Sequence, residues 1–138
     1  IKMEYKYTSR SERDTIELAE NFEAEKFSGM VICLEGDLGT GKTLFTKGFA
    51  ASMEIDETIT SPSYNIIKED YFGKDGVVII EWADMIEKYL PEERLEIKFT
   101  AIDENKRLLK IIPYGQRYEE LCEAVLWSVF FSIQVLTF

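Results

Sequence analysis

The architecture of this chain is indicated by residues Met30–Thr43, which read MVICLEGDLGTGKT. The apolar run Met30–Leu34 predicts a parallel strand that is buried on both faces. A glycine-rich turn follows it, and we expect a helix from about Lys42 to Met53. The segment Gly36–Thr43 fits the pattern G-x-x-x-x-G-K-[ST] at every fixed position. A strand, a glycine loop and a helix in this order predict a phosphate-binding loop, and the alternative is a glycine turn without a ligand.

The chemistry of a triphosphate explains the residue types of this loop. Several backbone N–H groups must point inward, which glycine permits, and the following helix adds its partial positive charge. We expect Lys42 to act as a catalytic residue on the β- and γ-phosphates and Thr43 to be a ligand of Mg²⁺. The predicted nucleotide contacts are Gly36, Asp37, Leu38, Gly39, Thr40, Gly41, Lys42, Thr43 and Leu44.

A second acid is expected beside the metal, at the end of a neighbouring strand. Val77–Ile80 is an apolar run that ends at Glu81, as in a Walker-B strand. We predict that Glu81 orients the attacking water or supports the metal shell, so it is both a catalytic and a metal candidate. Its alternative is an exposed strand end. Trp82 is predicted either in the nucleotide pocket or in the core.

Two further segments bear on the nucleotide. Thr60–Tyr64 reads TSPSY, in which the hydroxyl of Ser63 could reach a γ-phosphate as switch segments do, although the composition alone is that of an ordinary turn. Asn105-Lys106 begins like the guanine-reading N-K-x-D motif, but its Asp is missing. GTP specificity is therefore not supported, and the expected cofactors are ATP and Mg²⁺.

The order of elements predicts an α/β fold. It is a three-layer P-loop NTPase-like domain with a mostly parallel central sheet and an antiparallel hairpin extension. With 138 residues, the chain is expected to be one domain over 1–138, with Ile1-Lys2 as a vector-derived remnant. The remaining predicted elements are a strand at Tyr5–Thr8, a helix capped by Ser9 or Ser11 with Glu12 or Asp14 as partner, a helix at Ala83–Tyr89, a hairpin of Leu95–Thr100 with Arg107–Ile112, and a last helix at Tyr118–Val125.

Composition excludes several classes of function. The net charge of −10 argues against direct nucleic-acid binding, and the absence of His excludes histidine triads and histidine metal ligands. Cys33 and Cys122 are expected to be buried hydrophobes in a reducing compartment.

The apolar run at the C-terminus, about 15 residues long, is too short to span a bilayer, so we expect a cytoplasmic protein. Residues 127–138 form an uncharged extension that we expect to be buried, within the domain or against a second copy.

Three ordered motifs together resemble the TsaE family. They are GDLGTGKT at Gly36–Thr43, SPSY at Ser61–Tyr64 and the pair Glu81-Trp82. The resemblance implies an ATPase that supports a threonylcarbamoyltransferase complex modifying adenosine 37 of tRNA. It implies as partners the transferase subunit (TsaD-like) and its paralogue (TsaB-like). It also favours Ser63 as a sensor of the γ-phosphate.

The sequence departs from the family pattern in one place. The family carries H-x-D-x-Y-R, with its principal metal-binding Asp, between the SPSY and Glu81-Trp82 motifs. Here only 16 residues separate Tyr64 from Glu81, and the chain has no His. The sequence near Glu69-Asp70 therefore indicates that a strand-bearing segment is either deleted there or only absent from the sequence as given. A true deletion would weaken metal binding.

Two other classes of function remain open at this stage, a small-molecule kinase and a nucleotide-gated assembly module with incidental hydrolysis. A kinase usually clusters arginines around its acceptor, whereas here they are scattered and none is evident near the nucleotide motifs. An arginine on the transferred phosphate is worth about 10³- to 10⁵-fold in rate, so we expect slow hydrolysis without partners. The arginines concerned are Arg10, Arg13, Arg94, Arg107 and Arg117.

Overall fold

The computed structural model describes residues 3–54, 76–82 and 90–137, and their side chains as far as Trp127 except that of Trp82. Five strands and three helices lie within these ranges. In chain order they are β1 (Tyr5–Ser9), α1 (Glu12–Ala24), β2 (Met30–Gly36), α2 (Lys42–Ser52), β3 (Val77–Trp82), β4 (Arg94–Ala101), β5 (Arg107–Tyr114) and α3 (Gln116–Thr137).

The strands form one sheet in the order β1-β5-β4-β2-β3. β2 pairs in parallel with both β3 and β4, while β5 runs antiparallel to β4 and β1. The α/β class and the antiparallel hairpin are thus confirmed. Because β2 lies between β3 and β4, the loop that leaves β2 at Gly36 is flanked on either side by the end of a parallel strand.

The side chains of β2 alternate between two apolar clusters. Met30, Ile32 and Leu34 face the main core, which also contains residues from all three helices, whereas Val31 and Cys33 face the other side of the sheet. All of Met30–Leu34 is buried, as predicted. Among the described side chains of β3, at Val77–Glu81, only Ile80 is fully buried, because β3 is an edge strand of the described sheet. The helix predicted at 83–89, which would contribute to a third layer, lies outside the described residues.

The junction between β1 and α1 is fixed by buried hydroxyl groups. The Oγ of Ser9 donates to the carbonyl of Ser11 at 2.9 Å and lies 2.6 Å from Oγ1 of Thr15. Since the one hydroxyl proton of Ser9 is used on Ser11, Thr15 is the donor to Ser9. Ser11, one of the two predicted caps, is the N-cap of α1 and accepts from the amide of Asp14 at 3.1 Å.

The last helix is longer than predicted. α3 continues past Val125 to Thr137, because no glycine or proline interrupts it and extending a formed helix costs little per residue. The expected burial of residues 127–138 lies outside the described side chains, except that Trp127 is 70% exposed. Among the helices that the structure describes, none is both long and apolar enough to cross a membrane.

Both cysteines are buried free thiols, as predicted. Burial raises the pKa of the Cys33 thiol, and likewise that of Cys122, to about 12. The thiolate is the reactive form of cysteine, so neither side chain is suited to nucleophilic or metal-binding chemistry at neutral pH.

Candidate functional site

The glycine loop leaves the C-terminal end of β2 and passes over β4. At Gly36 the backbone has φ +154°, and a Cβ atom there would lie 2.7 Å from the carbonyl oxygen of Phe99 and 2.8 Å from Oγ1 of Thr40. No larger residue fits this position without displacing backbone. Within the loop, Oγ1 of Thr40 donates to the carbonyl of Asp37 at 2.6 Å. The first glycine of the motif is therefore required by close packing on Phe99.

The last glycine of the motif sets the start of α2. Gly41 is the N-cap in a left-handed conformation with φ +111°, and it brings no side chain to cap the helix. The first turn of α2 also contains no acid. The first backbone amides of the helix and its partial positive charge are thus directed at the loop, the arrangement that suits a phosphate group.

Lys42 folds back across the loop. Its Nζ donates to the carbonyl oxygen of Gly36, at the other end of the motif. The ammonium group therefore lies inside the curve of the loop rather than on the outer surface of α2. This position is the one predicted for the lysine that contacts the β- and γ-phosphates.

Glu81 is bound by two threonines of α2. Oγ1 of Thr43 donates to Oε2 of Glu81 at 3.1 Å, and Oγ1 of Thr46 donates to Oε1 at 2.7 Å. Thr46 is buried and also lies 3.1 Å from the carbonyl of Lys42. The structure thus brings the predicted Thr43 and Glu81 together. Thr46 was missed by sequence reasoning, although its position one turn after Thr43 could have suggested it.

The pair Thr43 and Glu81 suits a magnesium ion. Two neighbouring ligands of an octahedral ion at about 2.1 Å are about 3.0 Å apart, and this hydroxyl and carboxylate oxygen are 3.1 Å apart. Both donors are oxygens, which Mg²⁺ prefers, and Mg²⁺ usually takes only one or two ligands from protein. Among the described residues no cluster of three or more acidic, His or Cys side chains forms another metal site.

A cavity of about 510 Å³ opens over the loop, within the range typical of small-ligand sites. Gly36 and Asp37 line a different cavity, of about 530 Å³, on the side of β4. Of the predicted contacts, seven line the first cavity: Leu38, Gly39, Thr40, Gly41, Lys42, Thr43 and Leu44. Its other lining residues are Ser11, Glu12, Thr15, Glu81, Glu104, Asn105 and Arg107.

Arg107 corrects the expectation that no arginine lies near the loop. It is the first residue of β5, and its Nη2 lies 3.4 Å from the carbonyl oxygen of Gly39. The sequence predicted the hairpin that contains Arg107, but it did not give the strand order that places β4 beside β2. Without that order, no pattern in the sequence links residue 107 to the loop.

Two predicted residues are not placed by the structure. Ser63 lies outside the described residues. Trp82 is the last residue of β3, paired in register with Glu35, and only its backbone is described. Their roles in nucleotide binding stay predictions.

Comparison with known proteins supports the sequence motifs. Residues 9–69 match the family model described as Threonylcarbamoyl adenosine biosynthesis protein TsaE. A tRNA threonylcarbamoyladenosine biosynthesis protein TsaE of Bacillus subtilis is 39% identical, covering 69% of this chain and 77% of the relative. One from Treponema pallidum is 28% identical, covering 75% and 96%. The crystal structure of YdiB from Bacillus subtilis has a TM-score of 0.82 at 33% identity, covering 93% of this chain and 97% of that one.

The alignment with the Bacillus relative also bears on the missing segment. It extends over 121 positions but takes in 69% of this 138-residue chain, or about 95 residues. Roughly 26 positions therefore have no counterpart here. The family match ends at residue 69, where the sequence indicated the loss. Both observations support a missing internal segment of the family pattern.

Proposed function

Because the chain belongs to the TsaE family, we propose that it is an ATP hydrolase supporting a threonylcarbamoyltransferase complex that modifies adenosine 37 of tRNA. The names of its relatives supply the pathway, tRNA threonylcarbamoyladenosine biosynthesis. The observation that carries the ATPase proposal is the contact of Thr43 with Glu81 at 3.1 Å, beside the glycine loop. It joins the two elements that a P-loop enzyme needs, the metal-binding hydroxyl and the acid on the neighbouring strand.

Each residue of the site has a defined task in this proposal. The loop amides hold the phosphates, and Lys42, already directed into the loop, offsets charge on the β- and γ-phosphates. Thr43 and Glu81 would hold Mg²⁺, which offsets further phosphate charge when bound. Glu81 also accepts hydrogen bonds with both oxygens, so its orientation is fixed for polarising a water molecule.

The surface suits an enzyme that works on protein partners. The net charge of −10 disfavours direct tRNA binding, so the chain would act by docking on the transferase subunit and its paralogue in the cytoplasm. Leu38, at the tip of the loop, is fully exposed. An apolar side chain presented at the edge of the nucleotide cavity gives a partner direct access to the site, which would couple turnover to assembly.

The proposal is tested by titration with ATP, ADP and GTP in the presence of Mg²⁺, followed by hydrolysis assays with and without the purified transferase and its paralogue. We expect ATP binding, slow basal hydrolysis and stimulation by the partners. Absence of ATP binding would contradict the ATPase proposal. A fast basal rate that ignores the partners, or faster phosphoryl transfer to a metabolite than to water, would contradict the assembly role.

Glu81→Gln tests the catalytic assignment. The amide keeps the shape but can neither accept a proton nor balance the charge of a metal ion, so ATP binding should persist while hydrolysis falls by roughly 10²-fold or more. Glu35→Gln is the matched control, because Glu35 is the penultimate residue of the adjacent strand β2 but does not line the ATP cavity. Equal hydrolysis by the two variants would show that Glu81 is only a strand end.

A further inference from the structure

We propose that the free edge of β1 is an interface between two copies of this chain. The two β1 strands pair antiparallel about a two-fold axis at Tyr7, so that Glu4 of each copy faces Arg10 of the other. The two five-stranded sheets then join into one. The inference goes beyond the proposed function and does not depend on it, because the residues that carry it lie outside the nucleotide cavity.

β1 has an unpaired backbone edge beside an open groove. It is the first strand in the sheet order and pairs with β5 on one side. A groove of about 1010 Å³ is lined by the consecutive residues Glu4–Thr8 and by α3. Because successive side chains of a strand point to opposite faces, a consecutive run lines a groove through its backbone edge. The N–H and C=O groups of that edge form no ladder within the described part of the chain, and another strand would complete them.

The side of the groove that α3 forms is partly apolar. Ala124 and Trp127 line it, together with the two tyrosines of β1. Trp127 is 70% exposed, and it is the first residue of the uncharged extension that we expected to be buried in the domain or against a second copy. Covering a large aromatic side chain is favourable. The exposure of Trp127 therefore favours a second copy as its cover.

The charges at the two ends of the groove also fit a second copy. The end where β1 begins is acidic, since burial and then the nearby Glu123 and Glu119 raise the pKa of the Tyr5 hydroxyl. Glu4 lines this end, and Arg10 lines the other. Within the described residues the Arg10 side chain forms no ion pair or hydrogen bond. An antiparallel copy of β1 brings its basic end to the acidic end of the groove.

The register follows from symmetry and charge. A two-fold axis perpendicular to the sheet keeps each face on its own side, so the pairing is centred on a residue. A centre at Lys6 sets two Lys6 side chains against each other, and a centre at Thr8 sets Lys6 against Arg10. A centre at Tyr7 instead sets Glu4 against Arg10 twice. A centre earlier in β1 aligns fewer strand residues, so Tyr7 is the favoured centre.

Sedimentation velocity of the full chain tests the interface. We expect wild type to form dimers at about 0.1 mM, because a contact of this size is weak. Glu4→Arg and Arg10→Glu each turn two ion pairs per dimer into like-charge pairs, which should weaken the dimer roughly 5- to 30-fold. The double variant restores opposite charges and should dimerise like wild type. Glu25→Arg and Lys47→Glu, at exposed positions outside the groove, are the matched controls.

Disulfide trapping measures the register independently. Lys6 and Thr8 are exposed, and a centre at Tyr7 places Lys6 of one copy opposite Thr8 of the other. Under mild oxidation, a mixture of the Lys6→Cys and Thr8→Cys variants should cross-link about 10-fold faster than either variant alone, because only facing positions meet the disulfide geometry. The native cysteines are buried and should not contribute.

Three results would overturn the inference. They are a wild type that stays monomeric at about 0.1 mM, a double variant that dimerises no better than its parents, and cross-linking of Lys6→Cys alone as fast as the mixture. Where a melting curve shows that a charge variant is misfolded, the cross-linking rates decide. ATP titration of the same wild-type sample separates the two proposals, since a monomer that binds ATP refutes the interface and leaves the proposed function intact.

Discussion

The glycine loop and the β4–β5 turn line the same cavity but are built in opposite ways. The loop keeps its shape through backbone conformations and close approaches that only glycine permits, at Gly36 and Gly41. The turn keeps its shape through side chains, with Asp103 accepting from two amides and Arg107 donating to carbonyls. A part of the cavity whose shape depends on backbone conformation leaves a local motif in the sequence. A part that is held by side-chain hydrogen bonds can be recognised only when the order of the strands in the sheet is known.

Among the variants that test this comparison of loop and turn, we expect Lys42→Ala to have the largest effect, which is on the affinity for ATP. The variant removes the point charge held inside the loop, and backbone amides alone do not replace a charge facing two phosphates. We expect ATP affinity to fall by about 100- to 1,000-fold with an unchanged melting temperature. Lys47→Ala, an exposed lysine of the same helix, is the control. Calorimetric titration of both variants measures the difference, and equal affinities would remove Lys42 from the site.

Gly36→Ala should be the most damaging change to the loop as a structure. Its Cβ would lie 2.7 Å from a backbone oxygen, whereas at Gly39, which also has a positive φ, a Cβ would meet nothing within 4 Å. We expect a loss of about 2–3 kcal/mol in the free energy of unfolding for Gly36→Ala and about 1 kcal/mol for Gly39→Ala. Urea unfolding measures both. Equal losses would mean that contact with Phe99 does not shape the loop.

Thr46→Val probes the side-chain contact that links α2 to β3. The variant leaves Oε1 of Glu81 without its 2.7 Å donor, so the carboxylate becomes less well oriented. We expect hydrolysis to fall by about 3- to 10-fold with little change in the affinity for ATP. Thr46→Ser keeps the hydroxyl and should restore the rate. If Thr46→Val and Thr46→Ser turn over alike, the second threonine does not position Glu81.

The smallest effect is expected in the turn, from Asp103→Asn. Hydrogen bonds from the amides of Asn105 and Lys106 lower the pKa of the Asp103 carboxyl. Its contribution to stability is therefore present above the unfolded pKa, about 3.9, and is lost as the pH falls through the lower folded pKa. Asn accepts the same amide bonds without titrating. The variant should lose less of its melting temperature between pH 5 and pH 3 than wild type does, and parallel losses would contradict the assignment.

The sequence predicted those parts of the molecule whose physics is local. The run Met30–Leu34 showed a strand buried on both faces, and the fixed glycine spacing showed the loop. It also predicted the hairpin, and a cap for α1 at Ser9 or Ser11, of which the structure selects Ser11. The extent of α3 was missed. The predicted helix ended at Val125, because the β-branched and aromatic residues that follow favour strands, whereas in the structure the helix extends through them to Thr137. Nothing local signalled Arg107, because its neighbour Gly39 is 68 positions away in the chain.

Phe99 connects this site to the rest of the protein. Its carbonyl excludes any side chain at Gly36, its ring lies against Gly41, and that ring packs edge-on to Phe45 in the core. The shape of the loop and the packing of the core therefore both depend on this one residue. During evolution, the choice of residue at position 99 would be constrained twice, once by packing in the core and once by the shape of the nucleotide-binding loop. Tolerated replacements there should arrive together with compensating changes in the loop or in α2.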